Sequence, residues 1–133
     1  MGHGKFVTVI NCIDGRVQFP VLNWMKDFFQ ADYVDSVTEP GADKVMSEGT
    51  GEAVDQIKRR VMVSTSGHHS KVVALVGHYD CAANPGPEEM HFKQIRQGTE
   101  VIKNWELGAR VLGLWVGENW ETTCIYDTEE ELS

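Results

Sequence analysis

The sequence predicts an α/β domain with a mostly parallel β-sheet of about four strands, flanked by helices. Short apolar, β-branched runs alternate with amphipathic stretches at helical spacing, the signature of strand–helix–strand units with right-handed crossovers. Residues 6–10 and 71–77 are almost continuously apolar, as strands covered on both faces are. The chain has 133 residues, 41% hydrophobic and 24% charged. That length supports a core of useful size and, by the usual prior, a single domain over 1–133.

Taken in order, residues 6–10 form the first strand. Pro20 suits the first turn of a helix, and Val17, Val21, Trp24, Met25 and Phe28 follow on one amphipathic face. Residues 33–38 read as a second strand, closed by the turn Glu39-Pro40-Gly41-Ala42-Asp43. Val54, Ile57 and Val61 mark a helix over about 50–65, ended by Gly67. Residues 71–77 are the clearest strand. Phe92, Ile95, Thr99, Ile102 and Trp105 set a third helix over about 87–105, and 110–116 form a fourth strand. Residues 120–126 add an antiparallel strand at the C-terminal edge.

Composition excludes several function classes. A net charge of -8 argues against nucleic acid, because phosphate binding needs clustered Lys and Arg. No apolar stretch approaches the roughly 20 residues needed to span a bilayer. The N-terminal residues lack the apolar core of a signal peptide, so the expected location is the cytoplasm, and the three cysteines are expected to be thiols or metal ligands. The acidic residues from Asp127 onward are expected to form a frayed, solvated end.

Ligands of such sheets bind outside the carboxyl ends of the strands. The first strand runs into Cys12, and the 71–77 strand runs into Gly77-His78-Tyr79-Asp80-Cys81. If these strands are neighbours, Cys12, His78 and Cys81 converge. Two thiolates and an imidazole suit zinc, and three protein ligands leave a fourth position for water, as catalytic sites do.

Cys12-x-Asp14-x-Arg16 with His78-x-x-Cys81 resembles the zinc signature of β-class carbonic anhydrases over roughly residues 5–85. The resemblance implies zinc on Cys12, His78 and Cys81, and Asp14 and Arg16 as the catalytic dyad. In that dyad the carboxylate pairs with the guanidinium and orients the zinc-bound hydroxide; in some members it swings onto the metal instead. Carbon dioxide hydration to bicarbonate and a homodimer or higher homo-oligomer are the implied activity and assembly. The chain departs from the family at Gly15, at Ala82, and at Val37-Thr38-Glu39-Pro40-Gly41, where the family typically reads Arg-Asn-Ala-Gly. An acidic Glu39 near the site would oppose bicarbonate by like-charge repulsion. No counterpart of the family's N-terminal helical arm is expected from these residues.

Three rival readings stand beside hydration. A related small electrophile such as carbonyl sulfide would need the same site. A zinc-holding regulatory module would keep the metal without turnover. Cys12 as a free nucleophile, with Arg16 binding an anion, ranks last. Among the remaining residues, His68 and His69 fall at the amino end of their strand, away from the site. His91 reads as a solvated helix histidine, with proton relay as the alternative. Cys124 reads as structural, and Trp105, Trp115 and Trp120 as core and edge packing. Gly49-Thr50-Gly51-Glu52 lacks the Lys and spacing of a phosphate loop.

Overall fold

The computed structural model describes residues 4–129. One sheet holds β1 (Phe6–Asn11), β2 (Tyr33–Thr38), β3 (Val72–His78), β4 (Arg110–Val116) and β5 (Thr122–Asp127), in the order β2-β1-β3-β4-β5. The first four strands pair in parallel, and β5 runs antiparallel to β4. The helices are α1 (Gln18–Phe29), α2 (Ala42–Ser47), α3 (Glu52–Met62) and α4 (Glu88–Lys103).

Strand alternation divides the core into two layers. Val7, Val9, Ala74, Val76, Leu112 and Leu114 face α1, which buries Val21, Met25 and Phe29 against them. Ile10, Val73, Leu75 and Val111 face the opposite way, onto Met46, Val54, Ile57, Val61 and Ile102 of the other three helices. Burying one such side chain is worth about 1.5–3 kcal/mol, so each layer is a substantial source of stability. The chain leaves β1 to one side for β2 and returns to β3 on the other. The carboxyl ends of β1 and β3 therefore form a topological switch point, where a crevice opens.

Gly77 controls how closely the second layer approaches that point. A Cβ there would lie 2.5 Å from Asp43 Oδ2 and 2.8 Å from Ile95 Cδ1, so only glycine lets α2 and α4 settle onto β3 just before His78.

Several elements differ from the sequence reading. The turn at 39–43 runs directly into α2, with Gly41 left-handed (φ 61°) at its start and Asp43 inside the helix. After Met62 the α3 backbone widens into a π-turn, Val63–Gly67, which turns buried Ser64 onto Thr8 Oγ1 and Asp35 Oδ2, both at 2.6 Å. In α1 the buried stripe is Val21, Met25 and Phe29, while Phe28 is 52% exposed and stacks on Trp24 at 4.7 Å. Asp127 is no frayed residue: it ends β5, is 3% exposed and pairs with Arg110 at 2.7 Å. The rest of that tail, 130–133, lies outside the described residues.

Candidate metal centre

The first arm of the site begins where β1 stops. Asn11 Oδ1 accepts from the Cys12 N–H at 2.8 Å, and its Nδ2 donates to Val17 O at 3.2 Å, which holds the chain in a turn rather than an extended strand. Residues 12, 14 and 16 therefore do not share one strand face. Asp14 caps a single 3-10 turn, Gly15–Val17, by accepting from Arg16 N at 2.8 Å. Gln18 Nε2 closes the turn by donating to Cys12 O and Asp14 O, both at 2.8 Å. Gly15 has no positive φ and open space around it, so the fold makes no special demand for glycine there.

This turn brings Arg16 back across Asp14. Its Nη2 lies 2.6 Å from Asp14 Oδ2 and its Nε 3.1 Å from Oδ1, a bidentate pair. The same guanidinium reaches the second arm, with Nη1 3.2 Å from Asp80 Oδ2 and Nη2 3.0 Å from Asp80 O. It also sits over the Trp120 ring at 4.6 Å. Sequence reasoning assigned Trp120 to edge packing and gave Asp80 no part. The signal for Asp80 was its place in the sequence between the two ligand candidates His78 and Cys81; its backbone is left-handed (φ 57°).

The second arm leaves β3 at His78. Tyr79 N donates to Val116 O at 2.9 Å, which fixes the exit, and the left-handed Asp80 turns the chain so that Cys81 faces inward. The ligand atoms of Cys12, His78 and Cys81 all lie within 4.8 Å of one another, with the two sulfurs 3.9 Å apart. All three residues are buried, at 4%, 1% and 3% exposure. His78 Nδ1 lies 2.8 Å from Tyr79 O; a carbonyl only accepts, so Nδ1 carries the hydrogen. The other nitrogen, Nε2, is buried without a hydrogen-bond partner among the described residues. In the neutral ring it keeps its lone pair, and an orphaned buried acceptor beside two thiols is what a metal ion satisfies.

Burial pushes the Cys12 thiol up, but the His78 ring and the N–H groups of Gly41 and Asp14 outweigh it and hold the thiol at about 7. Burial and the nearby Cys12 charge push Cys81 up to about 11, against the opposing N–H groups of Ala83 and Asn84. Burial lowers His78, yet the Cys12 sulfur, the Tyr79 carbonyl and the Asp14 charge leave it raised overall. The Arg16 hydrogen bonds hold the Asp14 carboxyl down at about 2, and Asp14 in turn raises Arg16 above its ordinary value.

The other candidates fall elsewhere. His68 pairs with Asp35 at 2.6 Å and stacks on Phe6 at 4.1 Å, at the amino end of β3. Cys124 is half-buried and donates to Tyr126 O at 3.2 Å. His91 is not solvated: it is 1% exposed, with Nδ1 2.6 Å from Asp43 Oδ2. Glu39 is half-buried, and its N–H donates to Asn11 O at 2.9 Å. Among the described residues no helix is long and apolar enough to cross a membrane.

A sheet that gathers two cysteines and a histidine at its switch point defines an α/β protein with a site able to hold a metal ion. The fold is similar to that of a tetrameric β-carbonic anhydrase from Sordaria macrospora, at a TM-score of 0.61, 11% identity, and coverage of 90% of this chain and 79% of that one. The carbonic anhydrase from Glaciozyma antarctica is similar at 0.61 and 14%, covering 90% and 81%. A β-carbonic anhydrase of Aspergillus fumigatus gives 0.51 and 14%, covering 98% and 80%. At such identities the likeness establishes the fold. No curated protein matches the sequence. Residues 2–126 match the family described as "Putative carbonic anhydrase", and the chain belongs to that family.

Proposed function

We propose that the protein is a zinc-dependent enzyme that hydrates carbon dioxide to bicarbonate. The observation that carries this reading is the ion pair beside the buried cluster: Arg16 holds Asp14 bidentately, with 2.6 Å between Nη2 and Oδ2. A site serving structure alone needs the ligands but has no use for an ionised carboxylate clamped next to them.

Cys12, His78 and Cys81 would hold the ion and leave one position open. Zinc bound there supplies a Lewis acid that brings the pKa of water to about 7, a value for which carbonic anhydrase is itself the usual example. Asp14, kept ionised at about 2, offers a hydrogen-bond acceptor throughout the physiological range. An acceptor fixed by Arg16 orients the attacking water and leaves its lone pair directed at the substrate carbon. Arg16 also restrains Asp14 from turning onto the metal, because its guanidinium occupies both carboxylate oxygens. Bridging to Asp80 and stacking on Trp120 fix the guanidinium in turn. Carbonyl sulfide, an equally small linear electrophile, would present the same demands.

Ile13, Phe19 and Tyr79, at 58%, 76% and 46% exposure, follow or adjoin the site residues in the chain. A homo-oligomer that covers these apolar side chains is part of the proposal. Isotope exchange between carbon dioxide and water by the zinc-loaded protein, at mildly alkaline pH, tests the function. Exchange well above that of free zinc is expected. A rate equal to free zinc, from protein with stoichiometric metal, would sink the proposal.

A further inference from the structure

Next to the metal cluster lies a group of buried polar side chains that the hydration chemistry does not use. Asp43 of α2, Asn84 of the loop after Cys81 and His91 of α4 are 1%, 4% and 1% exposed. The Asp43 carboxylate is fully engaged. His91 Nδ1 lies 2.6 Å from its Oδ2, while Asn84 Nδ2 at 3.0 Å and Lys44 N at 2.9 Å both donate to its Oδ1. The second Asn84 hydrogen goes to Gln94 Oε1 at 2.7 Å, and the His91 ring packs 5.3 Å from that of Trp115.

Stability alone is a poor explanation for this group. Buried charged or hydrogen-bonded polar networks can often be replaced by apolar side chains of similar volume at little cost. Position explains it better. Gly41 stands two residues before Asp43, and a Cβ on Gly77, the residue before His78, would lie 2.5 Å from Asp43 Oδ2. On the other side, Asn84 N donates to Cys81 O at 3.3 Å. The Gly41 turn and the Ala83–Asn84 loop touch: a Cβ on Gly41 would lie 3.2 Å from Asn84 Cβ and 3.4 Å from Ala83 Cβ. Asp43 thus packs beside the strand end that presents His78 and bonds to the side chain of the loop residue that holds the Cys81 carbonyl.

We infer that Asp43, held by His91, is a positioning residue for the metal centre, tying the Gly41 turn to the Asn84 loop so that His78 and Cys81 stay set beside Cys12. Outer groups that fix the side chains of ligands set the geometry and affinity of the site for a metal. The role rests on the metal-centre reading and not on turnover.

The test uses the full chain loaded with zinc or cobalt. Zinc affinity is read by chelator competition, geometry by the cobalt–thiolate charge-transfer band, and folding by circular dichroism. Asp43→Asn and His91→Leu are expected to weaken zinc by about 10- to 100-fold and to shift the cobalt band. His91→Gln, which can still donate to Asp43, is expected to restore most of the affinity. Asn84→Ala removes the tie between the two segments together with the bond to Gln94, leaves Asp43 and His91 in place, and is expected to shift the band in a folded protein. Should Asp43→Asn and His91→Leu fail to fold, Asn84→Ala and His91→Gln still decide. Folded variants that all match the unmodified protein in zinc affinity and cobalt band would overturn the inference. If the unmodified chain itself bound neither metal tightly, the metal-centre reading would fall, and this inference with it.

Discussion

Arg16 touches both arms of the site. It grips Asp14, reaches across to Asp80 and lies on Trp120, so one guanidinium joins the two arms that carry the ligands. Arg16→Ala is expected to free Asp14 to turn onto the metal, retaining zinc while closing the water position; zinc analysis with cobalt spectroscopy would show a full complement and a changed coordination. Asp14→Ala is also expected to retain zinc, with exchange activity lower by a factor on the order of 100, as for other positioned acid–base groups. If both variants turn over at the unmodified rate, the dyad has no part in the mechanism. Removing a ligand should act differently. Cys12→Ala, His78→Ala and Cys81→Ala are each expected to lose most of the bound zinc, and three variants with stoichiometric metal would refute the assignment. The ligand candidates were legible because two short motifs end two apolar runs, and parallel pairing puts both ends on one edge. His91 was misread because periodicity says which face of a helix is apolar, and a histidine buried against an aspartate 48 residues away leaves no mark in that pattern.

At the scale of elements, strand positions were well marked, since β-branched apolar runs bounded by turn residues have few alternatives. α2 was hidden by its length: six residues give less than two turns of periodicity, and Pro40-Gly41 before it reads as a plain turn. The end of β5 was hidden by charge. Asp127 belongs to an acidic segment by composition, but Arg110 at the start of β4 draws it in, with Nη2–Oδ2 at 2.7 Å and Nε–Oδ1 at 3.0 Å. The Arg110 hydrogen bonds outweigh burial and hold the Asp127 carboxyl below its ordinary range. The unfolded chain therefore binds a proton here at higher pH than the folded one does. This pair's stabilisation is complete above the ordinary aspartate value of 3.8 and is lost as pH falls from there through the depressed native value. Urea unfolding of the unmodified protein should lose stability more steeply over that acid range than Asp127→Asn does. Parallel curves would show that the pair contributes nothing to acid sensitivity.

For the molecule as a whole, the switch point between β1 and β3 explains how two separate segments bring Cys12, His78 and Cys81 into one cluster able to hold a metal ion. Exposed Ile13 and Phe19 lie within a few residues of Cys12, and exposed Tyr79 follows His78 directly. Sedimentation at micromolar concentration is expected to give a dimer or larger species, and Phe19→Asp to shift it toward monomer. A clean monomer for the unmodified chain would overturn the oligomer. The spacing of the sulfurs also governs what happens when the metal is withdrawn. Cys12 and Cys81 stand 3.9 Å apart, so a small movement would bring the two sulfurs into bonding range. Peroxide acting on the chelated protein is expected to oxidise the two thiols to a disulfide, itself being reduced to water, and to block reloading with zinc until a reductant restores them. Metal and oxidant would thus compete for the same two sulfurs, and an ion held there would shield them from oxidative damage.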